Sequence, residues 1–286
     1  MERNMKKINR REFSRIAGTV SAGLALGGIV WAGTSIKKNQ RPNILFIMTD
    51  QQSAHMMSCT GNKWLKTPAL DKLSASGIRF ERAYATNPVC VPSRFSLQTG
   101  RMPSTIGMGR NEDSQLSQVT DNMVSHSLGN LFKNAGYDTV YGGKVHLPNR
   151  MNDLDSIGYR NLTSNSRQEL ADECIRFIKE EHTKPFFLFA SFINPHDICY
   201  MAINDYRRTL GQKPVDNTDS KTCENLLDQT RKEDDLATFI DNHCPKLPDN
   251  HDIPEDEPEC ITQKYLEARA FRAYIRKNWT EENTRA

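Results

Sequence analysis

The sequence predicts an α/β fold, a mostly parallel central sheet flanked by helices. Three observations predict it. Two continuous apolar runs of strand length, 43–49 and 186–192, read as strands buried on both faces, the habit of a parallel sheet. The stretches between them carry helical apolar spacing with glycine and proline stops. Polar residues able to do chemistry gather just past the strand ends, where ligands sit in open α/β sheets.

The chain has 286 residues, 37% hydrophobic and 26% charged, which fits a globular protein on the polar side. Its formal charge of +3 is unevenly placed, because residues 1–41 hold nine Lys/Arg against two Glu. The remainder is net negative and offers no basic footprint for nucleic acid. Segment 1–36 has the layout of an export signal. Lys6, Lys7, Arg10, Arg11 and Arg15 form a charged start, 16–36 is uncharged, and small residues near Ala32 and Gly33 suit cleavage. Arg10-Arg11-Glu12-Phe13 resembles the twin-arginine export motif. The expectation is a leader removed on export to the periplasm, with a retained membrane anchor as the alternative, and one domain over 37–286. Seven cysteines contain no Cys-x-x-Cys pair. Six of them besides Cys90 are free to pair in an oxidising compartment or to remain thiols.

The elements follow in order. The run 43–49 ends at Asp50 and Gln51, a carboxylate and an amide oxygen suited to a hard cation such as calcium. Thr67 and Pro68 open a helix that Gly77 closes, with Leu70, Leu73 and Ala75 as its apolar face. Segment 78–85 alternates and reads as a second strand. It delivers the chain to Cys90, which stands at the start of a helix with Pro92 in its first turn and Gly100 just past its end. Cys90 therefore meets the positive end of a helix, with Arg94 one turn along on the same face. That pairing suits a tetrahedral oxyanion. A thiolate phosphatase loop is excluded, because it needs arginine where Ser96 stands.

Residues 102–125 are polar and irregular. A helix is expected over 126–135, then a strand over 138–141 running into Gly142-Gly143-Lys144-Val145-His146. In an extended segment Lys144 and His146 point the same way, and together they can hold an oxyanion and move a proton. A helix over 169–182 precedes the strand 186–192, which ends at Asn194-Pro195-His196-Asp197. Beyond 201 the pattern weakens: 205–240 is helical in part, 245–258 is a proline-punctuated linker, and 261–279 reads as helix.

Cys90-x-Pro92-Ser93-Arg94, followed by Thr99-Gly100-Arg101, resembles the signature of the type I sulfatases. Gly143-Lys144-x-His146, Pro195-His196 and Thr67-Pro68-Ala69-Leu70 fall on the same family's pattern. The resemblance implies an alkaline phosphatase-like α/β fold and hydrolysis of a sulfate ester, on a small molecule or a glycan. It implies that a maturation enzyme converts Cys90 to formylglycine, whose hydrate supplies the nucleophile. It implies calcium held by Asp50, Gln51 and the modified residue 90, with Gln51 standing where the family commonly has a second aspartate. Arg94 and Lys144 would stabilise the diol and the developing oxyanion. His146 would take a proton, and His196 would give one to the leaving alcohol. Lys144, His196 and Asp197 would contact substrate. No Asp-His-Gly or Asp-Asn-Gly follows residue 200, so the expectation is the N-terminal portion of the family's catalytic domain. A non-catalytic remnant that binds sulfated ligands, and a phosphonate or phosphate monoester hydrolase, stand as the alternatives.

Overall fold

The structure is a computed structural model that describes residues 41–115 and 118–230, and beyond them 238, 246–247, 255–258 and 274. The expected leader, residues 245 and 248–254 of the linker, and the helix over 261–279 apart from residue 274 lie outside the described residues.

Four strands form one sheet: β1 (Ile44–Asp50), β2 (Asp138–Gly143), β3 (Arg160–Thr163) and β4 (Phe186–Pro195), in the order β1-β4-β2-β3. Every neighbouring pair is parallel. β4 fulfils its apolar run. Phe187 and Phe189 face one core, while Phe186, Leu188 and Ala190 face another. Full burial of each phenylalanine contributes about 1.5–3 kcal/mol. Aromatic rings lock the first core: Tyr141 stacks on Phe189 at 4.7 Å, Phe46 stacks on the same ring at 4.7 Å, and Phe132 stacks on Phe187 at 4.1 Å.

β1 corrects its expectation. It lies at the edge of the described sheet, and only alternate side chains turn toward the core. Leu45 and Ile47 are 44% and 54% exposed. A continuous apolar run cannot say which of its faces finds cover.

The helices are α1 (Pro68–Ser76), α2 (Cys90–Thr99), α3 (Asp121–Ser125), α4 (Leu128–Asn134), α5 (Gln168–Lys179), α6 (Cys199–Thr209) and α7 (Thr218–Thr230). α2 ends as its sequence requires. Gly100 turns left-handed at φ 66° and returns its N–H to the Ser96 carbonyl at 2.8 Å. α5 buries Leu170, Cys174 and Phe177 against β4 but leaves Ile175 and Ile178 exposed. α6 and α7 are tied by buried Asn204, whose amide donates to Ser220 Oγ and Glu224 Oε1, both at 2.8 Å.

Three local expectations fail. Segment 78–85 forms no strand, and Ile78, Phe80 and Tyr84 are exposed. Alternation supplies a face, but a strand also needs a partner edge. The helix expected from His126 starts at Leu128 instead, because buried Ser127 spends its hydroxyl on the Ile157 carbonyl at 3.0 Å and breaks the path from α3. Thr67 precedes α1 without capping it, since its Oγ1 accepts from the Ser58 N–H at 2.9 Å. The stretch 102–125, read as irregular, holds Ile106, Met108 and Val119 in the core.

Candidate active site

The carboxyl ends of β1, β2 and β4 converge on the first turn of α2. β1 delivers Asp50 and β2 delivers Lys144 through the Gly142-Gly143 turn. β4 delivers Ser191 and, just past its end, His196. α2 delivers Cys90 and Arg94.

Asp50 is the hub. Its Oδ2 accepts from Lys144 Nζ at 2.7 Å and from Arg94 at 2.9 Å. Its Oδ1 lies 3.6 Å from Cys90 Sγ. Lys144 Nζ is also 3.7 Å from that sulfur. Burial alone would raise the Asp50 pKa, but Lys144 first and Arg94 second override it and hold the carboxyl below its usual value. With Asp50 ionised, the two cations leave the pocket net positive.

Arg94 has a second task. Its other terminal nitrogen donates to the Lys144 carbonyl and to Ser191 Oγ, both at 2.8 Å. Tyr141 donates its hydroxyl to the same carbonyl at 2.7 Å, and the Lys144 N–H returns to the Ser191 carbonyl at 2.9 Å. The Lys144 peptide is therefore gripped at both ends. Ser191 and Tyr141 escaped the sequence reading. The available signal was weak: one hydroxyl in an otherwise apolar strand, and one tyrosine just before two glycines.

His146 departs from its expectation. Its φ of 45° is left-handed, so the segment from Lys144 is not extended and period-two alternation does not apply. His146 still lies within the field of the cluster. Burial, then the charges of Lys144 and Arg94, lower its pKa. Burial and Lys144 lower that of His196 likewise. His196 Nδ1 is buried without a hydrogen-bond partner.

The start of α2 is less open than the sequence implied. Asn111 Oδ1 accepts from the Val91 N–H at 2.9 Å, and Pro92 has no N–H to give. The positive end of the pocket is thus made by side chains more than by free amides.

Two expected site residues, Asp197 and Gln51, are not among these contacts. Asp197 is buried, and its carboxylate pairs with Arg167 at 2.9 Å and accepts from Asn194 at 3.1 Å. Arg167 in turn pairs with Asp219. The Asp197 carboxylate thus joins the segment after β4 to Arg167 and, through it, to Asp219 of α7. Gln51 is exposed and sits at φ 60°. A cleft of about 560 Å³ lined by Lys133, Tyr137, Asp138, Arg160, Glu181 and Lys184 contains none of the site residues. It opens at the amino end of the sheet, where β2 begins.

The calcium expectation meets the same donors. Calcium takes six to eight oxygens. Among the described His, Cys, Asp and Glu residues, the group close enough to share an ion is Asp50, Cys90 and His196, within 4.8 Å of one another. Sulfur and nitrogen are not calcium's donors, so these residues alone do not make a calcium cage.

Fold and site together define an α/β protein with a basic pocket at the carboxyl edge of its parallel sheet. The Sulfatase family matches residues 42–243, and the chain belongs to that family, as the N-terminal portion of its catalytic domain. It is 42% identical to the sulfatase YidJ of Escherichia coli strain K12 over 108 residues, covering 38% of this chain and 20% of that one. It is 23% identical over 276 residues to a Delta 4,5-hexuronate-2-O-sulfatase of Bacteroides thetaiotaomicron, covering 90% of this chain and 50% of the relative. A solved 2-O GAG sulfatase superposes with a TM-score of 0.61 at 22% identity, over 86% of this chain and 49% of that one, a likeness of fold. The chain thus spans half the length, or less, of these relatives.

Proposed function

We propose that this chain carries the nucleophile half of a sulfatase centre and acts on the sulfate ester of a carbohydrate. The observation that carries the reading is the convergence of Asp50, Arg94 and Lys144 on Cys90. A helix-initial cysteine 3.7 Å from a lysine ammonium suits a residue whose β-carbon comes to carry the attacking oxygen. Conversion of Cys90 to formylglycine, by a maturation enzyme, supplies an oxygen nucleophile there.

The chain's own side chains then divide the work. Lys144 Nζ faces position 90 and meets the negative charge of the sulfate. Arg94 holds Asp50 and the Lys144 backbone in register. His146, kept neutral near pH 7 by burial and neighbouring cations, takes a proton at position 90. His196 delivers a proton to the leaving alcohol once the bound anion raises its affinity for one. Calcium belongs to the expectation for the complete centre. An export signal over 1–36 suits a protein that meets glycans outside the cytoplasm.

The test is hydrolysis of sulfated mono- and disaccharides by chain co-expressed with a formylglycine-generating enzyme. Sulfate release that vanishes in Cys90→Ala supports the proposal. Release that survives Cys90→Ala overturns the assignment of the nucleophile to position 90, and no release from a folded chain whose Cys90 is converted overturns the proposal in favour of a non-catalytic sulfated-ligand binder.

A further inference from the structure

We infer that, while Cys90 remains a thiol, Asp50, Cys90 and His196 form a site for a thiophilic divalent metal such as zinc. Three observations carry it. The donor atoms of the three residues all lie within 4.8 Å of one another, and each comes from a different element: the end of β1, the first residue of α2, and the turn after β4. The best-defined edge of the triangle, Cys90 Sγ to Asp50 Oδ1, is 3.6 Å. A tetrahedral zinc with bonds of about 2.3 Å to sulfur and about 2.0 Å to oxygen spans roughly 3.5 Å between those ligands.

The surroundings prepare two of the three donors. Asp50 Oδ2 is occupied by Lys144 and Arg94, which orients the carboxylate and leaves Oδ1 on the cysteine side. Outer hydrogen bonds of this kind are what fixes a ligating carboxylate. His196 Nδ1 is buried with no hydrogen-bond partner. That nitrogen is not committed to a protein partner, and a ring nitrogen of His196 lies within 4.8 Å of the other two donors. One cysteine, one histidine and one carboxylate are donors of the zinc type, with a fourth position left for water. Lys144 and Arg94 stand beside the site on Asp50 Oδ2, and the thiolate and the carboxylate together offset the dication's own charge.

Binding is a ligand exchange without redox change. The Cys90 S–H bond breaks, the proton goes to solvent, and a sulfur–metal bond forms. The inference does not depend on sulfate hydrolysis. Conversion of Cys90 to an oxygen-bearing residue removes the sulfur donor, so the thiol form and the converted form differ in the metal they take.

The experiment uses the full chain made without a formylglycine-generating enzyme, with Cys90 verified as thiol by intact mass. Cobalt(II) is titrated and followed by absorbance, then displaced with zinc. The expected result is one equivalent bound, a thiolate-to-cobalt charge-transfer band with tetrahedral d–d bands, and release of one proton. Cys90→Ser should abolish the charge-transfer band, and His196→Gln should weaken binding at least about tenfold. Thermal melts confirm that both variants fold. A charge-transfer band that persists in Cys90→Ser overturns the inference, because another cysteine then holds the metal. So does a folded thiol form that gives no band, or cobalt displaced by an equal concentration of calcium.

Discussion

Arg94 donates to Asp50 across 2.9 Å, and the two side chains are 5% and 8% exposed. Removing one partner of such a pair strands a buried charge, which costs about 3–5 kcal/mol. Lys144 remains on the same oxygen at 2.7 Å and limits the loss. Arg94→Met is therefore expected to destabilise by about 3 kcal/mol in urea unfolding. A loss under about 1 kcal/mol would mean that Lys144 alone carries the carboxylate.

Tyr141 and Arg94 share the Lys144 carbonyl, at 2.7 and 2.8 Å. Tyr141→Phe removes one of two donors and leaves the acceptor satisfied. The expected stability cost is about 1 kcal/mol. The functional cost should be larger in kcat than in KM, because the variant loosens the peptide that aims Lys144. Equal stability and unchanged steady-state constants would make Tyr141 a core aromatic only.

Much of this arrangement was legible in the sequence, and the reasons for the gaps are physical. β4, α2 and α5 carry strong local signals: an apolar run, a helix-end glycine and an amphipathic face. β3, Arg-Asn-Leu-Thr, is short, polar and at an edge, so no apolar pattern marks it. Segment 78–85 has the pattern and lacks the partner. Cys90, Arg94, Lys144 and His196 were legible because their motifs fix spacing. The ion pair of Asp197 was not legible, because its partner Arg167 is thirty residues away and set by tertiary packing.

Asn111 closes the start of α2 by accepting from the Val91 N–H at 2.9 Å. Asn111→Ala is expected to cost about 1 kcal/mol, the usual loss for a helix N-terminal acceptor. It also frees an amide beside position 90. Sulfate, as a free anion, should then protect the variant more than the parent in thermal melts. Equal protection would show that the freed amide does not face the pocket.

His146 gives stability a pH dependence whose sign follows from its environment. Burial, then Lys144 and Arg94, lower its folded pKa below the ordinary 6.5. The unfolded chain therefore binds the proton first as pH falls. Stability is full above about 6.5 and declines below it, down to the folded pKa. His196 acts in the same direction and is present in both proteins. The expected outcome is that His146→Gln loses less stability than the parent between pH 7.5 and 5.5, by urea unfolding. Parallel losses would show that His146 titrates alike in both states.

Gly143 links the sheet to the site. It ends β2 at φ 91°, and a β-carbon there would stand 2.1 Å from the Ser191 carbonyl oxygen. That carbonyl also receives the Lys144 N–H at 2.9 Å. Gly143→Ala must therefore shift β2 from β4 or surrender the Lys144 bond, besides adopting a conformation that costs an L-residue about 1–3 kcal/mol. The expected loss is roughly 3 kcal/mol or more, with sulfate release falling further than stability alone explains, because Lys144 moves off Asp50 and position 90. The check is a paired measurement of urea unfolding and sulfate release at a temperature where the variant is fully folded. Normal release from a folded Gly143→Ala chain would show that Lys144 is not aimed by this turn.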